Sequence, residues 1–185
     1  MLPDATILSA WLAVEGEGSG PILKLEAPLS FWGGLDSGSG LIVERTHPQF
    51  GASLSGKVLV MERAKGSSSS SSVLAEAIRN GRGPAAIVMR HPDLIVGLGC
   101  IVASELYGIH VPLVGADDAL YTLLGSADAE ATVRVSAGAT PLQGGIYEKR
   151  GMVAWGGIEK FSAGRANPYS CNCPSSWGTR WGTPN

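Results

Sequence analysis

Charge is scarce in this chain and nearly balanced, with 14 Lys and Arg against 16 Asp and Glu and only 16% of its 185 residues charged. A formal net charge of −2 without a basic stripe gives no electrostatic reason to expect nucleic acid or an anionic membrane as partner. Long apolar runs are missing too. Nowhere do about 18 uninterrupted apolar residues occur, and the opening MLPDATILSAWLAVEGEGSG has no charged segment ahead of its short apolar stretch. Neither a membrane span nor a signal peptide is expected, and the cytoplasm is the default compartment. Three cysteines, an odd number, do not make a disulfide framework. Cys100 lies in an apolar segment and reads as core. Cys171 and Cys173, in SCNCP, offer two thiolates without the second pair or nearby histidine that a four-ligand site needs, so no metal site is expected in this chain.

Glycine and serine, by contrast, are abundant: 26 glycines are spread without a period, and KGSSSSSSVLAEAIRN runs from Lys65 to Asn80. No internal repeat emerges. Six serines in a row also suit a flexible linker, but the flanks bracket them closely. The apolar KVLVM, 57–61, precedes them as a buried strand would. After them Val73, Leu74, Ala77 and Ile78 share one helical face, with Ser72 as N-cap and Gly81 as stop. A loop of small hydroxyl residues entering a helix gathers free N–H groups at the positive end of a helix dipole, where anions are held.

Short strand-like runs at 22–25 and 41–44, separated by GGLDSGSG, give a β-rich opening. Within it, Phe31 and Trp32 are expected to pack the sheet. Gly33 and Gly34 should form a turn with positive φ that Asp36 caps, which leaves open whether Asp36 also faces a cleft. From 57 onward strands and helices alternate: strand 57–61, helix 73–80, strand 85–89, helix 94–107, strand 111–114, helix 117–124 and strand 131–135. Helices between apolar strands imply parallel pairing with right-handed crossovers, hence an α/β domain. Ligands of such sheets sit outside the carboxyl ends of the strands. The loops 63–72 and 90–93 should open there, bringing Ser67, Ser68 and Asp93 toward one pocket. Pro92 fixes a turn beside His91, which reads as a loop-packing residue rather than a base, and His47 and His110 make weaker candidates still.

Five ordered pieces carry a resemblance: PLSFWGGLD (28–36), THPQFG (46–51), SGKVLVM (55–61), the glycine–serine loop with its following VL (66–74) and GPAAIVMRHPD (83–93). Together, from Gly20 to about Gly115, the chain resembles the swivel domain, or small subunit, of the aconitase X dehydratases. The resemblance implies a swivelling three-layer β/β/α domain over residues 1–140, with a mostly parallel central sheet and an additional β-rich N-terminal segment. It also implies a small subunit of a hydro-lyase that dehydrates a small hydroxy acid, a hydroxyproline or a phosphorylated acid. The serine after the loop glycine, Ser67, would be the proton-abstracting base, with Gly66, Ser68 and Asp36 toward substrate. An iron–sulfur cluster or metal is implied in a large catalytic partner subunit of a heterodimer, not here.

Two features depart from the family pattern. Ser70 and Ser72 stand where glycine is expected, and their β-carbons restrict φ. Residues 141–185 carry Trp155, Trp177 and Trp181 among turn formers without clear periodicity, and are expected to be an irregular, flexible tail. The alternative reading is a non-catalytic swivel module that binds an anion or a partner through a drifted serine loop.

Overall fold

Among the described residues, nine strands and four helices follow one another in the order β1 (Ile7–Val14), β2 (Gly16–Lys24), α1 (Phe31–Gly34), β3 (Leu35–Asp36), β4 (Leu41–Ile42), β5 (Val58–Met61), α2 (Ser69–Arg79), β6 (Ala86–Met89), α3 (Leu94–Tyr107), β7 (Leu113–Gly115), α4 (Asp118–Gly125), β8 (Thr132–Pro141) and β9 (Tyr147–Trp155). The structure, a computed structural model, describes residues 7–127, 131–141 and 147–155. Seven strands close into a barrel in the order β1-β7-β6-β5-β2-β8-β9, and β3 pairs with β4 in a small separate hairpin. Strands β2, β5, β6 and β7 run parallel to one another, so the α/β alternation of the sequence produces the parallel sheet it implies. Antiparallel β1, β8 and β9 then curl that sheet shut.

Side-chain alternation divides the interior in two. On β5, Val58 and Val60 face the barrel lumen with Val88, Val114, Val133 and Val135, while Leu59 and Met61 face α2 and α3 with Ile87, Met89, Leu74 and Cys100. All four residues of β5 and of β6 are buried, which is why these strands read as continuous apolar runs. Leu120 and Leu124 of α4 belong to the lumen cluster and stop one mouth of the barrel. Helices α2 and α3 approach closely because position 99 has no side chain: a β-carbon on Gly99 would stand 2.9 Å from the Ser71 carbonyl oxygen.

Several boundaries differ from the sequence expectation for identifiable reasons. Strand β2 begins at Gly16, not 22, and its glycines are close-approach residues rather than turn formers. A β-carbon on Gly18 would fall 1.9 Å from the Ala85 carbonyl oxygen, and one on Gly20 would fall 2.1 Å from that of Gly56. The barrel's backbones touch where these side chains are missing. Helix α2 starts at Ser69, so Ser68 rather than Ser72 holds the N-cap position, and it makes no side-chain cap bond. Trp32, expected to pack the sheet, is 62% exposed, whereas Phe31 is fully buried. The expected irregular tail is corrected over β9, which pairs along its length with β8 and at its end with β1. That strand is recruited by antiparallel pairing with the preceding β8 and by long-range pairing with β1, neither of which a periodicity in its own sequence announces. Cys171, Cys173, Trp177 and Trp181 lie outside the described residues.

Candidate active-site edge at the serine loop

Strand β5 delivers the chain at its carboxyl end into residues 62–68, and two neighbouring loops come up beside it. The loop after β2 runs alongside, with a parallel bridge between Leu29 and Ala64 and a bond from the Lys65 N–H to the Leu29 carbonyl at 3.2 Å. The loop after β6 is tied by the Arg90 and His91 N–H groups to the Met61 and Glu62 carbonyls at 3.2 and 2.9 Å. These ties make one edge of several loops.

Gly66 turns the chain into the helix with φ of +110°, and a β-carbon there would meet the Ser30 hydroxyl at 2.4 Å. Only glycine satisfies both conditions. The serines then divide by function. Ser70 and Ser71 are buried: the Ser70 hydroxyl accepts the Trp32 N–H at 3.2 Å, and the Ser71 hydroxyl donates to the Ser68 carbonyl at 2.7 Å. Ser67, Ser68, Ser69 and Ser72 are exposed. Ser70 and Ser72 lie inside a helix, where no positive φ is required, so their β-carbons do not strain the chain. The run is half scaffold and half surface.

Ala64, Lys65, Gly66, Ser67, Ser70, Asp93, Ile95 and Val96 line a cavity of about 60 Å³ at this edge. Asp93 holds its position by capping α3, its Oδ1 accepting the Ile95 and Val96 N–H groups at 2.7 and 3.4 Å. Ser67 and Asp93 are thus brought together as the loop positions implied, with Gly66 beside them. Ser68 stands next to the cavity at the N-cap of α2 without lining it. Asp36 is not brought to the cavity. Its carboxylate takes the Gly38 N–H at 3.4 Å and the Ser39 N–H and hydroxyl, contacts that hold it below the usual carboxylate range, the Ser39 hydroxyl foremost. The neighbouring Ser37 carbonyl accepts from Asn80 at the far end of α2, about 16 Å from its start at 1.5 Å per residue. Asp36 is a turn-capping residue.

The turn before it has the type II dihedrals expected of a glycine at the third position, with Trp32 at φ −71°, ψ 114° and Gly33 at φ 77°. Gly34 does not share the positive φ. His47 is buried and committed, its Nε2 3.1 Å from the Ala27 carbonyl and its Nδ1 accepting the Gln49 N–H at 3.1 Å. That fixes the Nε2–H tautomer and anchors the β2 loop rather than a proton relay. His91 proves exposed rather than packed; it lines a separate, open depression of about 460 Å³ with Arg90, Asp117 and Asp118.

Lys65 and Glu44 were not singled out by pattern, because a lysine and a glutamate 21 positions apart carry no local signal. The structure joins them at 2.6 Å beside the cavity, with the Thr46 hydroxyl donating to the same Glu44 oxygen at 3.3 Å. The lysine, chiefly, holds the Glu44 carboxyl below its ordinary range. The signal that was available is that Lys65 directly precedes the Gly66–Ser67 pair.

Among the described residues no group of three or more His, Cys, Asp or Glu is placed to hold a metal. Cys100 is a poor ligand, since burial pushes its thiol up to about 12. The described residues therefore do not fit a cluster, and no chemistry is assigned to one on them. No helix among the described residues is long and apolar enough to cross a membrane.

A mostly parallel curled sheet flanked by two helices, with a glycine–serine loop at its carboxyl edge, defines a swivel-type α/β domain. The sequence profile of the aconitase X swivel domain matches residues 7–143, and the chain belongs to that family. It is 47% identical over 100 residues to a cis-3-hydroxy-L-proline dehydratase of Pseudomonas aeruginosa, covering 54% of this chain and 17% of that protein. It is 40% identical over 89 residues to the phosphomevalonate dehydratase small subunit of Methanothermobacter thermautotrophicus, covering 48% of this chain and 68% of that one. The crystal structure of Thermococcus kodakaraensis aconitase X in its holo-form superposes with a TM-score of 0.63 at 27% identity, over 81% of this chain and 98% of that one. The chain thus spans about a sixth of the Pseudomonas protein's length and two thirds of the archaeal subunit's.

Proposed function

We propose that this chain is the small, swivel subunit of an aconitase X-type hydro-lyase, and that Ser67 is the base that takes a proton from a small hydroxy acid. The substrate class and the larger partner are inferred from dehydratase relatives. A large catalytic body carrying an iron–sulfur cluster or metal would complete the active site. The observation that carries this reading is the pairing of an exposed Ser67 with a cavity of about 60 Å³. That volume is about two water molecules' worth, and ligand sites ordinarily reach about 300 Å³ or more. Such a pocket is a wall rather than a container, and substrate would lie between it and a second surface.

The chain's own contribution follows from its geometry. A serine hydroxyl ionises far above neutrality, so to act as base its alkoxide must be stabilised by positive charge or oriented donors. The amino end of α2 supplies part of this, on the order of 1 kcal/mol. Gly66 lets backbone approach the ligand, and Ser68 offers its amide and hydroxyl at the helix entrance. In the proton-transfer step the C–H bond next to the carboxylate breaks, its proton passes to Ser67 Oγ, and the electron pair stays on carbon. Dehydration assays on the chain co-expressed with its large subunit test the assignment. Ser67→Ala should abolish turnover while the subunits still co-purify, and a variant keeping more than about a tenth of the parent rate would rule Ser67 out, because general-base catalysis is worth about 100-fold or more.

A further inference from the structure

We infer that the Lys65 ammonium is the cationic contact for the substrate's carboxylate, and that Glu44 is the residue that positions it. This rests on Ser67 being the base and adds the group that makes such a base workable. Among the described residues that line the Ser67 cavity, only Lys65 and Asp93 are charged. Asp93 has the wrong sign for an anionic substrate, and its Oδ1 is spent on the first turn of α3. Lys65 is the cation that remains.

Its backbone is fixed by the bond from its N–H to the Leu29 carbonyl, and its Nζ sits 2.6 Å from Glu44 Oε1. The side chain is still 47% exposed, and an ammonium has three donors, so two stay available to a ligand. Surface ion pairs of this kind do little for folding. A pair at the lip of the cavity instead restricts where the ammonium can be found. The carboxylate of a hydroxy acid is bonded to the carbon whose proton Ser67 would take, so base and carboxylate must be reached from neighbouring points. Residues 65 and 67 flank Gly66 and both line the one cavity. When the C–H bond breaks, negative charge moves into the carboxylate oxygens, and a cation there binds the transition state more tightly than the ground state.

The test uses the chain assembled with its large subunit. Lys65→Ala should lower kcat/KM for the hydroxy acid about 100-fold, the cost typical of removing one charge-stabilising donor. Added ethylammonium should restore rate in proportion to its concentration, while an equal concentration of neutral ethanol should not. Glu44→Gln, which keeps the cation and frees its tether, should raise KM more than it lowers kcat. Lys65→Ala retaining more than a third of parental kcat/KM while Ser67→Ala is inactive would overturn the role of Lys65 and leave Ser67 standing. Activity in Ser67→Ala would overturn both. Should Lys65→Ala fail to assemble, Lys65→Met serves, with the same loss expected and the same threshold overturning the assignment.

Discussion

Among the described residues, a large and a small depression open on the carboxyl edge of the sheet, and they differ in size and in the groups that line them. The larger, about 460 Å³, has Arg90 held by Asp118 at 2.7 Å. The Arg90 guanidinium also lies 5.9 Å from the centre of the Tyr121 ring, and Lys24 lies 5.2 Å from it. Asp118 raises the affinity of Arg90 for its proton, and Lys65 is likewise paired with Glu44 at 2.6 Å, so charge pairing alone does not separate the two depressions. The smaller, about 60 Å³, has the exposed Ser67 hydroxyl at a helix entrance, a glycine at positive φ packed against Ser30 and a lysine with donors to spare. Size points to one depression and chemistry to the other. A site that is completed by a second surface has no need to be large in the isolated chain, so chemistry decides.

The sharpest way to break that comparison is to exchange its terms. Ser67→Ala in the assembled enzyme should cost at least about 100-fold in kcat, in the range of a lost general base. Arg90→Met, in the larger depression, should leave kcat/KM within about threefold, because an exposed ion pair of this type contributes little. If the two effects came out reversed in steady-state assays, the functional edge would have to be moved to the β6 and β7 loops.

A next test asks whether the serine loop needs its shape as well as its hydroxyls. Gly66→Ala places a β-carbon 2.4 Å from the Ser30 hydroxyl at a φ of +110°. Strain of that kind is worth about 1–3 kcal/mol, so the denaturation midpoint should fall and activity should fall further, since the loop relieves strain by moving Ser67. Gly18→Ala is the control in the barrel wall. Its β-carbon would meet the Ala85 backbone oxygen at 1.9 Å, which is main chain and cannot rotate away. Urea denaturation should show a loss of about 3 kcal/mol or more there.

The same glycines explain how far the fold was legible. Helix α3 matched its expected span because its Asp93 cap and its Gly108 stop, at φ 66°, are local signals. The buried strands β5 and β6 were readable from uninterrupted apolar runs. Strand β2 was half hidden, since the glycines of its first half mark backbone contact across the barrel, which no local pattern shows. The serine loop was legible as a strand-to-helix connection because strand and helix bracket it. Which serines face outward was not, because helical phase depends on where the helix starts, and its start at Ser69 is fixed by tertiary bonds such as Trp32 N–H to Ser70 Oγ. Lys65 with Glu44 was invisible for the same reason, being a contact made by folding. The FWGG segment misled in the opposite sense: aromatics usually mean core, yet the type II turn at Trp32–Gly33 turns Phe31 inward and Trp32 outward.

The smallest effect is expected from the acid side of stability, and it bears on whether the Lys65–Glu44 tether is formed in the free chain. Lys65 holds the Glu44 carboxyl below its ordinary value of 4.5 in the folded state. A group whose folded value is depressed gives stability that is present above the unfolded value and is lost as pH falls through the folded one. The parent should therefore lose a little more stability on going from pH 6 to about pH 3 than Glu44→Gln does, by a fraction of a kcal/mol given the exposure of the lysine. Lys65→Met, like Glu44→Gln, should lack this extra loss, because the depression goes with its chief cause. Urea midpoints that fall in parallel for parent and both variants across this range would mean the pair does not form in solution, and Glu44 would then have no means of placing the ammonium at the cavity.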